Sequence, residues 1–295
     1  MKEKLKKAGK ALGIYQLYGK VLDGWDEKTC QRFECSIGDI LLQRDVPNSH
    51  QLLLTSRLLD VEEYISKGNE TFPYQNAISY KTYGKKHREA DGNRSFKALI
   101  ESYKRDGYHS DSYITCDREM TLLDGNHRMG LQIYEQLEKV SVRMLRRKVA
   151  FGYSADWYYR VGLPTDFMER IFSRFAKIQE WLTEQGMTFC VMADAKGEQQ
   201  ATVISDMSHL AKVLQHRSFD RSVTYDGNTY VGGVIIQFSM MQPEYVGESG
   251  RLVSHHAATI KDILQKRYPD MQLEVSANCL EGKKMFDELN NNKQR

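Results

Sequence analysis

Apolar positions change their period several times along this chain, and each change marks an expected element. Over residues 95–105, Phe96, Leu99, Ile100 and Tyr103 recur at helical spacing until Asp106-Gly107 stops the run. A short apolar strand is expected over 112–116. After a turn at Asp117-Arg118-Glu119, a second apolar run ends at Leu122-Leu123 and is broken by Asp124-Gly125. From Met129 onward Leu131, Ile133, Tyr134, Leu137 and Val140 recur at roughly helical spacing, and residues 140–144 read as a strand. Further along, Thr165 is expected to cap a helix whose Ile171, Phe172, Phe175, Ile178, Trp181 and Leu182 share one face. Beyond Gly186 strands and helices alternate. The pattern predicts a strand over 187–192, a helix over 208–215, a hairpin turning at Asp226-Gly227-Asn228, a helix over 249–268 and a strand over 271–275. Upstream, short apolar runs at 37–42, 52–54 and 58–65 lie among polar turns, and Asp60-Val61-Glu62-Glu63-Tyr64 reads as the opening turn of a short helix. The expected fold class is mixed α/β (α+β). It divides into an N-terminal helical or irregular segment 1–76, a central unit 77–150 and a C-terminal α/β region 151–295.

The transition at Asp124-Gly125-Asn126-His127-Arg128 carries the chemistry. Gly125 can adopt backbone angles that other residues avoid. A helix starting just after it leaves its first amides unpaired, at the positive end of its dipole. Such a turn suits a phosphate, and Arg128 and His127 add a guanidinium fork and an imidazole that titrates near neutrality. Gly125, Asn126, His127 and Arg128 are therefore the candidate nucleotide- and phosphate-binding residues, with Arg88 from the basic stretch before them. The stretch 80–94 leads toward this unit with Lys81, Lys85, Lys86, His87, Arg88 and Arg94 beside Tyr80 and Tyr83, a composition that suits nucleotide phosphates and base as well as a nucleic-acid strand.

Composition changes this picture little. A net charge of +3 over 295 residues does not by itself argue for nucleic acid. Five scattered cysteines without close pairs point to reduced thiols in a cytoplasmic protein rather than to disulfides or zinc. No apolar run reaches the roughly 18 residues of a membrane span. The basic, amphipathic residues 1–22 read as a terminal helix packed on the body, with peripheral contact to an anionic membrane as the alternative.

The order helix, strand, turn, strand, Asp-Gly-Asn-His-Arg, helix, strand over about 77–148 resembles the ParB/sulfiredoxin-type domain, nearest the free-serine-kinase branch, whose turn is Asp-Gly-His-His-Arg. Sulfiredoxins carry a nucleophilic Cys where this chain has Asn126, so thiol chemistry is not implied. The kinase branch places a catalytic Glu just before the first helix, at or beside Glu89; Asp91 lies two residues on. Phosphoryl transfer to a hydroxyl calls for a carboxylate to take or orient its proton and for charge neutralisation, usually by Mg²⁺. Glu89, Asp91 and Asp124 are the carboxylates the implied fold brings near, with Asp124 as catalytic carboxylate or Mg²⁺ ligand. The resemblance implies a kinase using ATP or ADP, or CTP, and Mg²⁺, with a small hydroxylated acceptor such as an amino acid, a sugar or a glycan intermediate. A ParB-type nucleotide switch or DNA-binding protein, and a binder of phosphorylated ligands without turnover, are the other readings.

Overall fold

A computed structural model describes residues 30–42, 49–83, 89–109, 113–146, 148, 156–160, 162–241, 243–248 and 250–291. The basic segment 1–22 and Arg88 lie outside them, and Glu89 and Asp91 are described in their backbone only. Helices and strands are mixed throughout, so the fold is α/β as expected. Among the described residues no helix is long and apolar enough to cross a membrane.

The first sheet has the order β1 (Cys30–Ser36), β4 (Lys139–Leu145), β2 (Ile114–Cys116), β3 (Leu122–Asp124). β1 runs antiparallel to β4 from Cys30 opposite Leu145 to Ser36 opposite Lys139. β2 is parallel to β4 and antiparallel to β3. β1 comes from the stretch expected to be helical or irregular; its alternating exposed and buried residues suit an edge strand with one face on the core. Helix α1 (Ile37–Leu41) follows it directly, closed by a capping box between Ser36 and Asp39.

Three helices come between α1 and β2 in the chain, and the first of them contacts β3. They are α2 (Ser49–Lys67), α3 (Pro73–Tyr83) and α4 (Glu89–Asp106). Asp60 does not open a helix, as its neighbours had suggested, but lies in the middle of α2 and is fully buried. Its carboxylate accepts the amides of Tyr74 at 3.0 Å and Gln75 at 2.7 Å, so one helix caps the start of the next. α4 begins earlier than its apolar face alone predicts, and Gly107, at φ +73°, ends it. Helix α5 (Asn126–Tyr134) packs across α2 at Gly130, where an added Cβ would lie 3.2 Å from the Leu58 amide nitrogen.

The second sheet is antiparallel, in the order β10 (Leu273–Val275), β5 (Phe189–Ala193), β7 (Asn228–Ser239), β6 (Lys212–Tyr225). The β6–β7 turn holds Asp226 at φ +48° and Gly227 at φ +76°, the left-handed pair a two-residue hairpin favours. Helices α6 (Asp156–Arg160), α7 (Thr165–Glu184), α8 (Glu198–Leu210), α9 (His255–Arg267) and α10 (Cys279–Asn291) complete this half, with a separate hairpin of β8 (Tyr245–Glu248) and β9 (Arg251–Ser254); Tyr158 of α6 packs with Leu52, Tyr74 and Ile78 rather than on the sheet.

The helix expected over 208–215 ends at Leu210, and residues 212–225 form a strand. The long β7 partner commits them to pairing, while two register shifts obscure their alternation. The helix expected over 249–268 is a strand, then a helix starting after Ser254, whose hydroxyl accepts the Ala257 amide at 3.2 Å. Pro164, not Thr165, is the cap of α7; its carbonyl accepts the amides of Phe167 and Met168.

One continuous apolar core joins the two sheets. Phe33, Ile114, Met129 and Val142 belong to it, and so do Phe175, Phe189, Val191, Ile236 and Phe238. At the seam Asp39, fully buried, accepts the amides of Ser36 at 3.0 Å and Cys279 at 2.9 Å and the Tyr245 hydroxyl at 2.7 Å. Burial pushes its carboxyl up to about 6.

Candidate functional site

The turn between β3 and α5 brings Asp124, Gly125, Asn126, His127 and Arg128 together. Gly125 stands at φ +101°, and a Cβ there would lie 2.8 Å from Ile114 Cγ2, so both the backbone angle and the neighbouring strand demand glycine. Its carbonyl accepts the Met129 amide at 2.8 Å, which starts the helix, and no side chain caps the helix entrance. The Asn126 Oδ1 is sealed from solvent without a hydrogen-bond partner. Arg128 Nη2 lies 4.0 Å from Asp124 Oδ2, and both side chains are partly exposed.

His127 has a different character from its neighbour. Its ring sits 4.3 Å from the Phe96 ring, and its Nε2 is 2.5 Å from Gln75 Oε1. Burial first, then the positive charges of Arg57 and Arg128, lowers its pKa from 6.5 to about 3. The imidazole is therefore neutral at pH 7 and contributes no cation to the turn.

Residues distant in sequence complete the surroundings. Buried Arg57 comes from α2, Gln75 from the first turn of α3, and Asn93 and Phe96 from α4. Gln75 Nε2 donates to Asn93 Oδ1 at 3.2 Å, and Asn93 Nδ2 donates to the Thr71 carbonyl at 3.3 Å. Sequence reasoning missed Arg57, Gln75 and Asn93, since no local spacing ties position 75 to position 127. Pro73 and Gln75 mark a helix start only once Asp60 is known to cap it.

Glu89 is the first residue of α4, one turn before Asn93. Positions four apart share a helix face, so Glu89 is placed on the Asn93 face, whereas Asp91, two residues from Asn93, is not. Among the described residues no group of three or more His, Cys, Asp or Glu side chains could hold a metal.

Features elsewhere bear on the chemistry. The five cysteines are free thiols, four of them buried. Burial pushes Cys190 up to about 12 and Cys35, Cys116 and Cys279 upward as well, which leaves them unreactive. Two basic residues near the end of the unit are engaged: Arg143 Nη2 donates to Thr115 Oγ1 at 3.2 Å and Lys148 pairs with Glu119 at 2.7 Å. A separate cleft of about 870 Å³ is lined by residues of both sign, among them Arg32, Glu34, Asp226, Arg251, Glu281 and Lys284, and by none of the turn. Arg251 is committed there to Glu281. In comparisons with known proteins, no family model, no curated protein and no solved structure matches this chain.

Proposed function

We propose that the protein is a nucleotide-dependent phosphotransferase acting on a hydroxyl of a small molecule, built on a ParB/sulfiredoxin-like core. The observation that carries this reading is the uncapped start of α5 behind Gly125, with Arg128 partly exposed beside it. Helix-start amides and a guanidinium fork together suit a phosphate. The first turn of α4 supports the other half, because Glu89 stands one turn before Asn93, whose side chain meets Gln75 and, through it, His127.

In this reading the amides of Asn126, His127 and Arg128 and the Arg128 guanidinium hold the phosphates of ATP or ADP. The acceptor oxygen attacks the terminal phosphorus, the bond from phosphorus to the leaving phosphate oxygen breaks, and Glu89 takes the hydroxyl proton. Asp124 is the carboxylate at the turn that would hold Mg²⁺, which needs only one or two protein carboxylates when phosphates supply its other ligands. Bound there, the ion would neutralise the phosphate charge. Thiol chemistry of the sulfiredoxin kind has no sulfur in the turn, where Asn126 stands in place of the cysteine. The engaged Arg143 and Lys148 lend no support to a DNA-binding face.

Glu89→Gln tests the assignment. Nucleotide affinity, read by calorimetry, should stay within about twofold while phosphoryl transfer falls by roughly 10²-fold or more, the lower end of general-base contributions. Loss of turnover in Asp91→Asn with full activity in Glu89→Gln would move the base to Asp91.

A further inference from the structure

The hydrogen-bond chain behind His127 has a direction, and a backbone carbonyl sets it. The Thr71 carbonyl can only accept, and the Asn93 amide nitrogen lies 3.3 Å from it. Asn93 therefore turns its Oδ1 toward Gln75, whose Nε2 donates to it at 3.2 Å. That leaves Gln75 Oε1 facing His127 Nε2 at 2.5 Å. Two acceptors cannot face each other, so the Nε2 nitrogen carries the hydrogen. Gln75 is itself held by its backbone amide on Asp60, and the His127 ring by Phe96.

We infer that Gln75 is a positioning residue that holds His127 in its Nε2–H tautomer, so that Nδ1 offers a lone pair to a hydroxyl of the small-molecule acceptor rather than a charge to phosphate. The inference rests on the phosphotransferase reading for its ligand but on the relay alone for its tautomer. Arg57 and Arg128, the cations facing the ring, together with its burial, keep the second nitrogen unprotonated. Among the described residues no hydrogen bond reaches Nδ1, and it is not one of the buried polar atoms sealed without a partner. At neutral pH the bridging phosphate oxygens and nearly all terminal ones carry no hydrogen, so they repel a lone pair; a hydroxyl donates to it. Since Glu89 takes the reacting hydroxyl, Nδ1 is left for a second one. The acceptor is then a molecule with at least two hydroxyls, of the polyol or sugar class, and the phosphates stay with Arg128 and the backbone amides.

Nitrogen-15 imidazole spectra of the full chain at pH 7 test this directly, with the His127→Gln spectrum used to assign the ring among eight histidines. The wild type should show a protonated Nε2 and an unprotonated Nδ1, unchanged when inorganic phosphate is added. In Gln75→Met, which keeps volume but removes the acceptor, a buried unpaired N–H becomes costly, and the proton should move to Nδ1. A wild-type ring protonated at Nδ1, a ring that gains its second proton on phosphate addition, or a Gln75→Met ring that keeps the Nε2 proton would each overturn the inference. If nucleotide binding fails by calorimetry while the ring behaves as stated, the phosphotransferase reading falls and the tautomer assignment stands.

Discussion

Glycine at position 125 answers two demands at once, a left-handed backbone and a strand side chain 2.8 Å from where a Cβ would stand. Gly125→Ala should therefore cost about 1–3 kcal/mol in urea unfolding from backbone strain alone, with the contact to Ile114 adding to it. A change under about 0.5 kcal/mol would mean that the turn relaxes freely. His127 shows why identity in a motif does not fix a role. Sequence gave reason to expect a switchable imidazole, whereas burial, Arg57 and Arg128 bring its pKa to about 3. A group so lowered gives stability that is complete above pH 6.5 and lost as pH falls toward 3. Asp60 and Asp39 work in the opposite sense, because burial raises their carboxyls to about 7 and about 6. Their contribution is complete below about pH 3.8 and is lost as pH rises through those values. His127→Gln should accordingly flatten the acid side of the stability profile between pH 6.5 and 3, and Asp39→Asn the side between pH 4 and 7. An unchanged acid limb in His127→Gln would contradict the half-buried, neutral ring.

Elements follow from sequence where the signal is local. The helical face of Phe96, Ile100 and Tyr103, the left-handed Asp226-Gly227 pair and the stripe from Ile171 to Leu182 were legible because periodicity or turn chemistry decides them. Most of helix α8 was not, for Val203 and Met207 are its only buried apolar residues, with Ile204 and Leu210 partly buried beside them. The capping of α3 by Asp60 was illegible for a different reason: donor and acceptor lie 14 and 15 residues apart, and nothing in either segment names the other. The same holds for the site, where the turn 124–128 could be read in one line of sequence but Arg57, Gln75 and Asn93 arrive only through packing. Asp60→Ala removes the cap from α3 and should destabilise by about 1–2 kcal/mol. It should also disturb the His127 ring signals, since Gln75 hangs from the same carboxylate. Normal ring signals in that variant would mean that Gln75 is held by Asn93 alone.

At the scale of the whole molecule, the two sheets are bound by one core and by the Asp39 seam, which ties β1–α1 to Tyr245 and to the start of α10. Calorimetry should then record a single unfolding transition, and two separable transitions would show that the sheets fold as independent units. The mixed α/β class was legible from the alternation of apolar periods. How the halves meet was not, because Asp39 and Cys279 stand 240 residues apart. The turn at Gly125 is tested most directly by a thermal-shift comparison of the wild type and Arg128→Ala with ATP, ADP and CTP in Mg²⁺. A nucleotide at a hundred times its dissociation constant adds about 2.7 kcal/mol of apparent stability. ATP or ADP should stabilise the wild type, and the effect should be lost in Arg128→Ala. Equal stabilisation of both proteins, or none of the wild type, would contradict it, and a response to CTP alone would point to a nucleotide switch in place of a kinase.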